Sequence, residues 1–190
     1  EFGLNPAEPV ILIIGGSQGA EQINNFILSS LEILIKDFQI IHQVGIKNYG
    51  GYRKEFEFLT KDWSDFEKNR YYYKAFFDKD LGNALAASDL VISRAGSGSI
   101  FELAALGKPA ILVPLPESAN NHQKENAYVY SQTGAAIIIQ EENLLGNLVL
   151  EELKQLFKDP ALLEKMGGAA RSFYRPDSAL LIAKHLLTYV

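Results

Sequence analysis

The 190-residue sequence has no cysteine, one methionine, one tryptophan and three histidines. Without cysteine there is no disulfide framework, no thiolate chemistry and no cysteine-type zinc site. That usage fits a cytoplasmic protein. Positive charge is also scarce: 18 Lys and Arg stand against 23 Asp and Glu, a net charge of −5. A general nucleic-acid surface needs a basic patch, so no nucleic-acid partner is expected. A local phosphate site built from backbone amides stays open. No apolar run reaches the roughly 18 residues of a membrane span, and the N-terminus is not a signal peptide. The chain also lacks an initiator methionine. Its start, Glu1-Phe2-Gly3, reads as a cloning scar. We therefore expect an excised piece of a longer protein, with residues 1–6 a remnant or linker and residues 7–190 one domain.

What is present is an ordinary globular balance, 47% hydrophobic and 22% charged, in a chain long enough for one α/β domain with a proper core. Continuous apolar runs predict strands at Val10 to Ile14, Phe38 to His42, Tyr71 to Phe77, Leu90 to Ser93, Ala110 to Val113 and Ala135 to Ile139. Between them fall helical patterns at about Glu21–Lys36 (Ile23, Phe26, Ile27, Leu31 and Leu34 on one face), Leu81–Ala87, Ser99–Leu106 and up to Thr133. Tyr52 to Arg70 is charged and weakly patterned, with one short helix carrying Phe56 and Leu59. Helices around Leu144–Phe157, Ala161–Tyr174 and Ala179–Leu187 close the chain. Strands alternating with helices mean βαβ units. The expected fold class is α/β: a single Rossmann-like, doubly wound parallel six-stranded sheet covered on both faces.

Ligands of such sheets bind outside the carboxyl ends of the strands. The glycine-rich and unusually polar turns fall on that edge. Ser93-Arg94-Ala95-Gly96-Ser97-Gly98-Ser99 leads from a strand into a helix that Gly107 stops. Free N–H groups at the positive end of a helix dipole make an anion site that needs no cationic side chain. We expect it to hold the diphosphate of a sugar nucleotide. Gly15-Gly16-Ser17-Gln18-Gly19 lacks the G-x-G-x-x-G spacing of a dinucleotide fingerprint. It matches G-x-S-x-G, which would make Ser17 a hydrolase nucleophile, but it follows the first strand and has no oxyanion segment beside it. It also reads as a second phosphate-approaching turn, or simply a tight strand-to-helix turn.

Ser99-Ile-Phe-Glu102 has the form of a capping box, and equally places a carboxylate where two ribose hydroxyls would sit. Asn120-Asn121-His122-Gln123 is either an Asn-capped helix start or a set of neutral groups for sugar hydroxyls. His42 ends a strand at the ligand edge. Phe76 and Phe77, at another strand end, are placed to wall a base pocket. Asp78-Lys79-Asp80 mimics a metal-holding D-x-D, but Asp80 is more simply a helix N-cap and no third ligand completes a shell. No metal and no cofactor are expected.

Together, Gly15–Ala20, His42-Gln43, Ser88–Ser97, Glu102–Pro114, Asn121-His122-Gln123 with Asn126-Ala127, and Gly134-Ala135 make the whole chain resemble the C-terminal half of the MurG family. These are bacterial N-acetylglucosaminyltransferases of GT-B fold that move GlcNAc from UDP-GlcNAc to lipid I, forming lipid II in peptidoglycan synthesis. The resemblance implies that this half binds UDP-GlcNAc. Arg94, Ala95 and the backbone of Gly96, Ser97, Gly98 and Ser99 would lie at the diphosphate, and Glu102 at the ribose. The Phe77 main chain would read the uracil edge, and Gln123 with His122 the GlcNAc hydroxyls. Ser17, with Gln18 and Gly19, would meet a phosphate beside the cleft. Phe77 stands where the family has a smaller aliphatic, and Gly98 where a side chain is common. The catalytic base and the lipid I site would belong to the other half, and the full-length protein would lie on the inner face of the cell membrane. No residue of this chain is expected to be the base, and the isolated domain is expected to be inactive. The alternatives are a stand-alone subunit of a two-chain, Alg13-like GlcNAc transferase and a sugar-nucleotide epimerase.

Overall fold

The computed structural model describes residues 2–16, 19–118 and 121–189. In chain order the elements are β1 (Val10–Ile14), α1 (Glu21–Leu34), β2 (Gln39–Gln43), α2 (Tyr49–Leu59), α3 (Asp65–Lys68), β3 (Tyr71–Lys74) and α4 (Leu81–Ala87). Then come β4 (Leu90–Ser93), α5 (Ser97–Leu106), β5 (Ala110–Leu112), α6 (His122–Gln132), β6 (Ala136–Ile138), α7 (Gly146–Lys158), α8 (Pro160–Phe173) and α9 (Ser178–Leu186). A short 3₁₀ turn, Glu141–Asn143, separates β6 from α7.

All six strands are parallel, in the order β3-β2-β1-β4-β5-β6. Parallel strands need crossovers, and helices supply them on both faces, so the strands are apolar on both sides. Ile11, Ile13, Ile40 and Ile92 pack with α1 and α7 through Ile23, Ile27, Val149 and Leu153. On the opposite face Leu12, Ile41, Val91 and Leu112 meet Leu85 of α4, Leu103 of α5 and Tyr130 of α6. The predicted doubly wound sheet is the fold found.

Two stretches differ from expectation. The charged segment from Tyr52 to Arg70 holds two helices, not one. Of its side chains α2 buries only Tyr52, so almost no apolar periodicity announces it. The third strand ends at Lys74 rather than Phe77: the Lys74 and Ala75 carbonyls take the Val44 and Gly45 N–H groups, and the Phe77 N–H then goes to the Gln43 side chain instead of a strand. Residues 2–5 lie on the domain: Phe2 packs edge-on against Tyr72 at 5.2 Å, and Asn5 N–H donates to Gln39 Oε1 at 2.7 Å.

Where α5 stops, Gly107 adopts a left-handed conformation (φ 63°), and α8 crosses close by. A Cβ on Gly167 would stand 2.7 Å from the Gly107 carbonyl oxygen, whereas one on the adjacent Gly168 would meet open space. Gly167→Val is expected to lower unfolding free energy by about 2 kcal/mol through overpacking, and Gly168→Val by under about 0.5 kcal/mol. Urea denaturation of the two variants checks this contrast.

Candidate functional site

With this strand order the winding reverses between β1 and β4, which is where a doubly wound sheet opens a crevice at its carboxyl edge. A cleft of about 510 Å³ lies there. Its walls are the β1 turn (Gly15, Gly16 and Gly19) with the start of α1, and the β4 turn (Arg94, Gly96 and Ser99). Leu115 of the loop after β5, Gln123 at the start of α6 and Glu141 close it. An apolar depression between Phe101 and Phe173 is slightly larger, about 540 Å³, but sits away from the strand ends. Position and backbone chemistry, not size, single out the cleft.

The geometry of α5 explains why. Gly96 is its N-cap in extended conformation (φ −67°, ψ 145°), and no side chain caps the helix. The first turn closes when Ile100 N–H donates to the Gly96 carbonyl at 3.0 Å. The N–H groups of Ser97, Gly98 and Ser99 have no partner among the described residues, and Ser97 and Gly98 are exposed. These are orphan donors at the positive end of a helix. The expected capping box is therefore corrected: Ser99 is the third residue of the helix, so it cannot cap Glu102. Side-chain caps do occur elsewhere, in the Ser64/Glu67 capping box of α3 and at Asp159 before α8.

The turn ahead of α5 is held from below. Asn126 of α6 donates through Nδ2 to the Ala95 carbonyl at 3.1 Å, and Ala95 is fully buried. Arg94 is 8% exposed; its Nη1 donates to the Val113 carbonyl at 3.2 Å and its Nη2 pairs with Glu141. Arg94 thus ties the ends of β4 and β5 to the 3₁₀ turn, with both terminal nitrogens engaged. Motif reading singled out neither Glu141 nor this use of Asn126. Glu141 carries no signal except its place just past a strand end.

The other predicted residues divide. Gly19 lines the cleft at φ 82°; a Cβ there would lie 2.3 Å from the Val44 carbonyl oxygen, so glycine is required. Gln123 lines it too, but its Oε1 accepts the Leu115 N–H at 3.1 Å, which leaves Nε2 to face a ligand. Glu102 lies one turn beyond Ser99 on the same side of α5, exposed and outside the cleft lining. Partial desolvation raises its carboxyl above the usual range. His122 is exposed and also outside the lining. Ser17, Gln18 and Asn120 lie outside the described residues.

Three expectations are corrected. The Phe77 ring does not wall a pocket: it is 1% exposed in the core, because the loop folds inward after Lys74. Its N–H donates to Gln43 Oε1 at 2.8 Å, so the carbonyl is the Phe77 main-chain group without a partner among the described residues. His42 is not at the ligand edge. The strand runs one residue further, and alternation turns His42 into the face beneath α1, where it bonds Tyr71 Oη at 2.7 Å and Asn24 Oδ1 at 3.1 Å. Asp80 is the residue before α4, yet it makes no capping bond; its carboxylate pairs with Lys74 at 2.6 Å.

The family model for the glycosyltransferase family 28 C-terminal domain matches residues 10–180. A UDP-N-acetylglucosamine–N-acetylmuramyl-(pentapeptide) pyrophosphoryl-undecaprenol N-acetylglucosamine transferase of Chlorobium luteolum is 35% identical over 186 residues, 98% of this chain and 48% of that protein. The protein of the same name from Bacteroides fragilis is 39% identical over 191 residues, 98% of this chain and 47% of its own. In structure, the crystal structure of Acinetobacter baumannii MurG aligns with a TM-score of 0.77 at 27% identity, covering 95% of this chain and 52% of that one. The chain spans about half the length of these relatives.

Proposed function

The chain belongs to the glycosyltransferase family 28 C-terminal domain family, and on that premise we propose that it binds UDP-GlcNAc as the donor half of an inverting glycosyltransferase. In that reading the whole protein transfers GlcNAc to lipid I and yields lipid II in peptidoglycan synthesis. The observation that carries the proposal is the unpartnered first turn of α5, opening on a cleft that the starts of α1 and α6 also border.

The acceptor hydroxyl attacks the anomeric carbon, the glycosidic bond to the diphosphate oxygen breaks, and UDP departs. This half contributes electrostatics. In this reading the unpartnered amides of Ser97, Gly98 and Ser99 meet the charge that grows on the leaving diphosphate, and donors fixed in a helix turn need little reorganisation at the transition state. Asn126 and the Arg94–Glu141 pair keep the surrounding turns in place. Glu102 accepts from the ribose hydroxyls, Gln123 donates to the sugar, and the Phe77 carbonyl meets the N3–H of the uracil. The base and the acceptor site come from the other half, and the full-length protein lies on the inner face of the cell membrane. No helix among the described residues is long and apolar enough to cross a membrane.

Calorimetric titration with UDP-GlcNAc, UDP-GalNAc and UDP tests the reading; absence of binding by all three overturns it. Glu102→Ala is expected to weaken UDP-GlcNAc about tenfold, the loss of hydrogen bonds to a charged acceptor. Undiminished binding by that variant removes Glu102 from the site. Since Asp80 is already paired with Lys74, the D-x-D sequence does not present two free carboxylates. UDP affinity in excess EDTA is accordingly expected to stay within about twofold of its value in magnesium, because amides supply the countercharge. A loss beyond about tenfold would mean that a cation shares the load.

A further inference from the structure

We propose that Gln43 is a positioning residue for the cleft, a single side chain that braces the two loops on either side of the β2 end. The proposal rests on reading the cleft as a nucleotide-diphosphate site. Gln43 is the last residue of β2 and lies in register between Ile14 of β1 and Lys74 of β3, at the carboxyl edge of the sheet. It is 2% exposed and outside the cleft lining, so it does not itself meet a ligand. Its Nε2 donates to the Gly16 carbonyl at 3.2 Å, and its Oε1 accepts the Phe77 N–H at 2.8 Å. One amide therefore joins the glycine turn after β1 to the loop after β3.

Both loops need such a tether. Gly16 and Gly19 adopt left-handed conformations, φ 83° and 82°. Glycines lose the most backbone freedom on ordering, so a turn built on two of them must be held from outside. The Gly16 carbonyl is the hub: it accepts both Gln43 Nε2 and the Gly19 N–H, the latter at 3.1 Å. On the other side the Ala75 carbonyl takes the Gly45 N–H at 2.9 Å, so residues 75–77 are tied to the β2 end at two points. Only a side chain that donates and accepts at once can serve both loops, and the Gln43 amide does so from its two ends. A carboxylate can accept from Phe77 but cannot donate to Gly16 unless it is protonated.

The test uses Gln43→Leu, close in volume and lacking both bonds, and Gln43→Glu. Gln43→Leu should stay folded and weaken UDP about tenfold, the cost of leaving two backbone groups unpaired, while inorganic diphosphate, which meets the α5 amides and lacks the uracil that the Phe77 loop holds, changes less than about twofold. Amide hydrogen exchange at Phe77 and Gly19 should quicken in this variant, with the β1 and β4 amides unchanged. Gln43→Glu should recover UDP affinity relative to wild type as pH falls and the carboxyl gains the proton it donates. Unchanged UDP binding and exchange in Gln43→Leu, or an equal loss of UDP and diphosphate with general loosening of the strands, overturns the brace. A wild-type protein that ignores UDP refutes the nucleotide reading instead, and exchange at Phe77 and Gly19 still decides the brace.

Discussion

Replacing Ser97 by proline is expected to weaken UDP-GlcNAc binding by about tenfold to hundredfold while leaving the melting temperature essentially unchanged, the loss of one hydrogen bond to a charged group. The substitution is unusually clean here. Ser97 is the first residue of α5, a position where proline is favoured because its missing N–H has no partner within the helix. The preceding residue must be extended before a proline, and Gly96 already is, at ψ 145°. Ser97 is exposed, so the ring meets no core. What disappears is one N–H of the first turn that has no partner among the described residues. Ser97→Ala, which keeps that amide and removes only the hydroxyl, is the control and should bind within about threefold of wild type. Calorimetry and thermal melts of the two variants separate backbone from side chain. If Ser97→Pro binds as wild type does, the amides of this turn do not grip the diphosphate.

The same helix shows where sequence reading stops. Its existence was plain from Ile100, Leu103 and Ala104 following a glycine turn, and all three are buried. Its start was not, because Ser99 and Glu102 imitate a capping box at a spacing that residues two places earlier pre-empt. The choice depends on which carbonyl Ile100 bonds, and that follows from how α5 seats on the sheet. The strands were legible because both faces are covered and their apolar runs are continuous. Strand ends were less so: Phe77 looks like strand but is loop, since pairing with β2 stops at Lys74. The cleft itself was readable as a set of polar turns on one edge. The ties beneath it were not, because Asn126, Glu141 and Gln43 act through backbone carbonyls and a partner 47 residues away in the chain.

His42 carries the remaining large effect, and it is one of stability. Its ring is fully buried, with both nitrogens bonded, to Tyr71 Oη and Asn24 Oδ1; Tyr52 in turn bonds Tyr71, and Asn24 Nδ2 donates to the Val44 carbonyl. None of these partners supplies a negative charge. Burial therefore lowers its pKa from the ordinary 6.5 to about 3. Between those values the unfolded chain binds a proton at this imidazole and the folded chain does not, so stability falls as pH falls. Each unit is worth about 1.4 kcal/mol, or about 2 kcal/mol between pH 6.5 and pH 5 and about 4 kcal/mol by pH 3. Above about pH 7.5 both states are neutral there and the contribution is flat. Urea unfolding free energies measured at half-unit steps should show that decline before most carboxylates titrate. In His42→Asn the slope over the same interval should flatten by about 1.4 kcal/mol per unit, whatever the variant's absolute stability. As a second check, the His42 C2–H resonance should not move between about pH 7.5 and pH 5, because the folded ring stays neutral throughout. A resonance that titrates near pH 6.5 would mean that the ring reaches water, and the buried Asn24–His42–Tyr71–Tyr52 chain could not then be the support beneath α1.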